Sequence, residues 1–169
     1  MLKITIIALG HLKENYLRDA AKEYEKRLSG YCKLNIVEIE PQRLPDNPSE
    51  AEINTALNKE AEKINASIPQ GSYVVPLCIE GASPDSVELS RKLSSIALDG
   101  FSNVCFIIGS SYGIANEIKT KSHYKLSMSK MTFPHQLARI MLLEQIYRAF
   151  KISSGGTYHT YSLKHTKNA

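Results

Sequence analysis

The sequence predicts an α/β protein in which a mostly parallel sheet is covered by helices on both faces. Three observations predict it. Five short apolar runs rich in β-branched or aromatic residues alternate with helical patterns of about 10–18 residues, the signature of successive βαβ units. The chain has 169 residues and is 43% hydrophobic, which suits one ordinary domain whose core needs no cross-links. With Gly 9, Pro 7 and no repeating period, collagenous, low-complexity and solenoid architectures are excluded.

The elements follow in order. Leu2–Leu9 reads as the first strand. Glu14–Leu28 is helical, with Leu17, Ala21, Tyr24 and Leu28 on one face and Gly30 behind it as a stop signal. Leu34–Ile39 is the second strand, and the polar, Pro-rich residues 41–49 predict a mobile loop. Glu50–Ile68 starts after Ser49, with Glu52 three residues on as the partner in a capping box, and ends before Pro69-Gln70-Gly71. Tyr73–Ile79 is the third strand. Its Pro76 removes a ladder donor, which argues for a sheet edge or a local irregularity. Ser86–Leu98 is a helix closed by Asp99-Gly100, and Val104–Ile108 and Tyr124–Met128 are the last two strands.

The final helix, Pro134–Phe150, takes Pro134 as its first residue, with Thr132 as a nearby capping candidate. Leu142, Leu143, Ile146 and Phe150 lie on one side and Leu137, Ile140 and Met141 toward the other. Apolar residues around most of a helix near the end of a small chain predict a subunit interface.

The net charge of +4 conceals a division. Residues 1–117 hold 12 basic and 16 acidic residues and 118–169 hold 9 basic and 1 acidic, so the first segment carries −4 and the second +8. A basic segment beside an acidic remainder suits a polyanion, nucleic acid foremost; a solvated surface without a specific partner is the competing reading. Cys32, Cys78 and Cys105 each sit in an apolar run and are odd in number, as expected of reduced core thiols in a cytoplasmic protein. No run is long enough to cross a membrane, and no cleavable leader is expected at the start. The cysteine and histidine spacings predict no metal site.

Three segments can carry chemistry. Gly109-Ser110-Ser111-Tyr112-Gly113 follows a strand, as either a turn that lets a ligand reach backbone amides or a tightly packed strand-to-helix turn. It is not a dinucleotide fingerprint, because the G-x-G-x-x-G spacing is missing. Residues 126–135 alternate small hydroxyls with large apolar groups, as either a wrap around a mixed polar and apolar cofactor or a plain connection. His135 and Arg139 share a helix face that begins at this loop, while Glu144 and Arg148 form an internal ion pair. Last, Tyr158 and His159, flanked by Lys151, Lys164 and Lys167, can stack on a base and touch phosphate or can be a frayed end.

Together, LKITIIALG at 2–10, FIIGSSYG at 106–113, SMSKMTFPHQLARIMLLEQIYRAFKI at 127–152 and GGTYH at 155–159 resemble the SPOUT-superfamily ribosomal RNA large subunit methyltransferase H family. The resemblance covers about residues 2–160 and implies a single SPOUT domain over 1–160 with a C-terminal trefoil knot, followed by a basic tail at 161–169. It also implies a homodimer that methylates N3 of pseudouridine 1915 in 23S rRNA of the assembled 70S ribosome, using S-adenosylmethionine. Carried over residue by residue, the cofactor positions fall on Leu77, Gly109, Met128, Ser129, Lys130, Met131, Thr132 and Phe133. His135, Arg139, Tyr158 and His159 are expected near methyl transfer or the RNA entrance. Arg139 is expected to orient base or phosphate, and His135 or His159 to accept a proton. The chain departs from the family pattern at Ser110, usually a second glycine, at Thr157, usually proline, and at Thr160, usually basic. A noncatalytic RNA-binding or ribosome-associated protein is the alternative; it predicts salt-sensitive RNA binding without affinity for an adenosyl cofactor.

Overall fold

The computed structural model describes residues 1–156. The chain runs β1 (Lys3–Leu9), α1 (Asn15–Leu28), β2 (Lys33–Ile39), α2 (Glu50–Ser67), β3 (Tyr73–Ala82), α3 (Ser86–Leu98), β4 (Asn103–Ile108), α4 (Asn116–Lys121) and α5 (His135–Ser153). The four strands form one sheet in the order β2-β1-β4-β3, with every pairing parallel.

Residue alternation sends each central strand into two cores at once. Ile4, Ile6 and Ala8 of β1, with Val104, Phe106 and Ile108 of β4, face α1, α3 and α5, where Leu28, Leu93 and Leu142 meet them. Ile7 and Leu9 of β1, with Cys105 and Ile107 of β4, face α2 and α4, where Ala61, Ile64 and Ile118 pack. All six residues of β4 are buried, as continuous apolar runs require in a sheet covered on both sides. Burial pushes the Cys105 thiol up to about 12 and that of Cys32 to about 11, so both behave as apolar filling at neutral pH. Cys78 is only half-buried and borders a cleft, so the expectation of a core thiol fails there.

Pro76 lies where its missing donor matters least. β3 is an edge strand, and its ladder with β4 runs from Tyr73↔Val104 and ends at Pro76↔Ile107. The capping box on α2 is present in full: Ser49 Oγ accepts from the Glu52 amide at 3.2 Å, and the Glu52 side chain accepts from the Ser49 amide at 2.7 Å. Asp85 and Glu88 repeat the device on α3.

Two further expectations need correction. The strand expected at Tyr124–Met128 shrinks to Leu126, which makes isolated parallel bridges to both Leu77 and Ala82. The bridge to Ala82 is a single parallel pair, in which the Ala82 amide donates to the Lys125 carbonyl at 2.9 Å and the Ser127 amide donates to the Ala82 carbonyl at 2.8 Å. The approach is so close that a Cβ on Gly81 would come within 2.7 Å of the Lys125 carbonyl group. Second, Pro134 is the cap residue of α5 with extended ψ of 136°, not its first helical residue, and no side chain caps the helix. Thr132 therefore has no capping role. α4, for which the sequence gives no expectation, is six residues long, too short to show helical periodicity.

α5 packs between α1 and α3, burying Leu142, Leu143, Ile146 and Ala149. The expected Glu144–Arg148 pair forms at 2.7 Å. Toward the other side, Leu137 remains 41% exposed, and Ile140 and Met141 are only half-covered within the chain.

Candidate active site

The carboxyl ends of β3 and β4 open into a cleft of about 720 Å³, within the size range of small-molecule sites. Its walls come from three segments far apart in sequence: Leu77–Glu80 at the end of β3, Ile108–Ile114 after β4, and Ser127–His135 before α5. Apolar faces from Leu77, Ile108, Ile114, Met128 and Phe133 are interleaved with hydroxyls of Ser127, Ser129 and Thr132.

The turn after β4 is built from its glycines. A Cβ on Gly109 would lie 2.4 Å from the Gly113 carbonyl oxygen, so residue 109 must lack a side chain. Gly113 has φ of +89°, a left-handed conformation that closes the turn through its amide on the Ser110 carbonyl at 2.9 Å. The loop before α5 is held by its own hydroxyls. Ser127 Oγ donates to the Ser129 carbonyl at 3.0 Å, and Ser129 Oγ accepts from the Met131 amide at 3.0 Å.

Seven of the eight expected cofactor positions border this cleft: Leu77, Gly109, Met128, Ser129, Met131, Thr132 and Phe133. Lys130 does not; it is exposed. His135 borders the cleft and also a second cavity of about 340 Å³ beneath residues 41–46. Burial lowers the pKa of its imidazole from the ordinary 6.5, with help from the Arg139 guanidinium and then Lys13, which favours the neutral ring at pH 7.

Arg139 lies elsewhere. It is 5% exposed, and its guanidinium donates to Glu38 Oε2 at 2.9 Å and to the Gly10 carbonyl at 2.8 Å. It thereby ties the amino end of α5 to the ends of β1 and β2, and it does not line the cleft. Gln136 adds a second tie, its Oε1 accepting from the Lys13 amide at 2.9 Å. Tyr158 and His159 lie outside the described residues, as do Thr157, Thr160 and the tail.

Two features of the site were missed in the sequence. Lys119 and Glu80 pair at 2.6 Å across the cleft wall, and the hydrogen bond from Lys119 holds the Glu80 carboxyl below its usual range. Behind the glycine turn, Glu60 is 3% exposed; its Oε1 accepts from the Gln42 amide at 3.0 Å and its Oε2 from Ser110 Oγ at 3.1 Å. A local signal for Glu60 did exist, since it sits between Ala56 and Ile64 at fourfold spacing, an acid in the apolar stripe of α2. Among the described residues no cluster of His, Cys, Asp and Glu can hold a metal ion, and no helix is long and apolar enough to cross a membrane.

A parallel α/β sheet with a cleft beyond its strand ends, walled by a glycine turn and a hydroxyl-rich loop, is the arrangement of an α/β protein that binds a small molecule. The family model described as predicted SPOUT methyltransferase matches residues 2–159, and the chain belongs to that family. A Clostridium botulinum (strain Alaska E43) protein named ribosomal RNA large subunit methyltransferase H is 52% identical over 158 residues, covering 94% of this chain and 99% of its own. Proteins of the same name from Clostridium kluyveri and Clostridioides difficile are 51% and 45% identical over the same shares of the chains. A solved "probable methylase family protein" from Haemophilus influenzae Rd KW20 superposes with TM-score 0.49 and 17% identity, over 94% of this chain and 71% of its own.

Proposed function

We propose that the protein methylates N3 of pseudouridine 1915 in 23S rRNA on the assembled 70S ribosome, as a cytoplasmic homodimer using S-adenosylmethionine. The observation that carries this reading is the cleft itself, in which seven of the eight positions expected to hold the cofactor converge from three separate segments.

The residues present fit such a ligand. Leu77, Ile108, Met128 and Phe133 offer apolar surface to an adenine ring, and the side-chain-free wall at Gly109 lets a ligand approach the backbone. When bound, S-adenosylmethionine supplies a methyl group on a positively charged sulfur. The chain must hold the acceptor base against it and take the proton that N3 gives up as the N–CH3 bond forms and the C–S bond breaks. A neutral imidazole at His135, bordering both the cleft and the neighbouring cavity, is suited to accept that proton. Arg139 contributes by holding the helix end that carries His135, through Glu38 and Gly10. In this proposal Tyr158 and His159 act at the methyl-transfer region or its RNA entrance, and Lys130 remains a cofactor-binding position. The under-covered side of α5 supports the dimer, and the trefoil knot is part of the same proposal.

Purified protein, labelled S-adenosylmethionine and 70S ribosomes lacking the modification test the proposal. N3-methylpseudouridine should appear in the large-subunit RNA by nucleoside mass spectrometry, and its absence rejects the reading. Equal rates on deproteinised rRNA would reject the 70S requirement alone. RNA binding without any affinity for S-adenosylhomocysteine would favour a noncatalytic ribosome-associated protein.

A further inference from the structure

The hydroxyl of Ser110 and the buried carboxyl of Glu60 join two parts of the molecule that the fold keeps separate. The Gly109–Gly113 turn belongs to the cofactor cleft, whereas Gln42 lies in the Pro-rich segment that roofs the second cavity. Glu60, on α2, touches both through its two oxygens, 3.0 Å from the Gln42 amide and 3.1 Å from Ser110 Oγ. Residues Ser110, Ser111 and Tyr112 border both cavities and so form the partition between them.

We infer that Glu60 is a positioning residue for the cofactor turn, acting through Ser110, and that it couples the placement of residues 41–46 to the affinity for the adenosyl ligand. This rests on the adenosyl-binding reading of the cleft. The turn closes on itself through Gly113 and Ser110, which shapes it but does not fix where it stands relative to α2. The Ser110–Glu60 bond supplies that anchor from a buried acceptor that cannot exchange it for water without opening the partition. Because the other oxygen of the same carboxyl holds Gln42, a shift of the turn and a shift of the roof are not independent. A ligand that orders the turn thereby favours order in the roof, and the two placements are coupled through Glu60. A glycine at position 110, as the family pattern has it, could not make this contact. The coupling is therefore a property of this chain.

Two near-isosteric variants test the inference by calorimetry with S-adenosylhomocysteine and by amide hydrogen exchange at Gln42. Ser110→Ala leaves Oε2 of Glu60 without its donor and frees the turn; binding should weaken about tenfold, the size of a hydrogen bond to a charged acceptor. Glu60→Gln keeps an oxygen for the Gln42 amide and turns its NH2 toward Ser110, whose hydroxyl can rotate to accept. It should stay within about threefold of the unmodified protein. The ligand should raise protection of the Gln42 amide in the unmodified protein and in Glu60→Gln but not in Ser110→Ala. Melting temperatures that shift while all affinities stay within about threefold would make the contact purely structural and overturn the proposal. Ligand-induced protection of Gln42 that persists in Ser110→Ala would overturn it as well. An unmodified protein that does not bind S-adenosylhomocysteine would overturn the adenosyl reading and this inference together, which separates that failure from the two before it.

Discussion

Arg139 shows how one side chain can serve a site without facing it. A buried guanidinium with a half-exposed carboxylate partner and a backbone carbonyl is costly to lose, because removal strands the Gly10 carbonyl and uncouples three elements. Arg139→Ala is expected to lower stability by about 2–4 kcal/mol in urea denaturation, with Arg139→Lys recovering only part, since an ammonium lacks the two-pronged geometry. His135 makes a prediction of the opposite electrostatic kind. Its folded pKa is depressed, so the unfolded chain binds its proton more readily. Stability is therefore fully present above the ordinary 6.5 and is lost as pH falls from there through the lowered folded value. Denaturation at pH 7.5 and pH 5 should show that loss, and His135→Gln should reduce the difference between the two. The shared face of His135 and Arg139 was legible from their fourfold spacing. The roles were not, because spacing says nothing of what a guanidinium meets across the sheet, and Glu38 and Gly10 are distant in sequence.

Among elements, the glycine turn and the α2 cap make a useful contrast. Gly109→Ala forces a Cβ against the Gly113 carbonyl and is expected to cost about 1–3 kcal/mol while abolishing measurable S-adenosylhomocysteine binding. Ser49→Ala breaks a capping box at the amino end of α2, which does not line the cleft. It is expected to cost about 1 kcal/mol and leave that binding unchanged, a comparison calorimetry and thermal melts can make directly. Caps, strands and helices of this kind were readable because their signals are local: Ser49 with Glu52, Asp85 with Glu88, and β-branched runs of strand length. The segment around Leu126 misled for the same reason. Its residues favour a strand, but what pairs there was decided by the distant Leu77 and Ala82.

At the scale of the whole molecule, the uneven charge follows the site. Lys121, Lys125 and Lys130 are exposed along the segment leading into the hydroxyl-rich loop of the cleft. Replacing Lys121 and Lys125 together by Gln should reduce the slope of log affinity against log salt for an rRNA fragment by about 1.5–2, while affinity for S-adenosylhomocysteine holds. The alternation of strands and helices fixed the layers and the parallel sheet in advance, yet a cleft made from residues 77, 109 and 128 together is invisible to periodicity, which reads only neighbours. Resemblance to a family placed those residues together, and Glu60 escaped both approaches because its partners lie in two separate loops.

The early end of the β3–β4 ladder at Pro76 leaves the second half of β3 as a strap that the sheet does not hold. Its ties are instead the Leu126 bridges, which include the two hydrogen bonds at Ala82, and the Lys119–Glu80 ion pair. Opening this strap would widen one wall of the cleft at the cost of a few local bonds, leaving β1 and β4 untouched. Amides of residues 77–82 should accordingly exchange with solvent well ahead of those in 104–108, through a local opening rather than global unfolding. Faster exchange there would mark this wall of the cleft as the part that can open while the sheet stays shut.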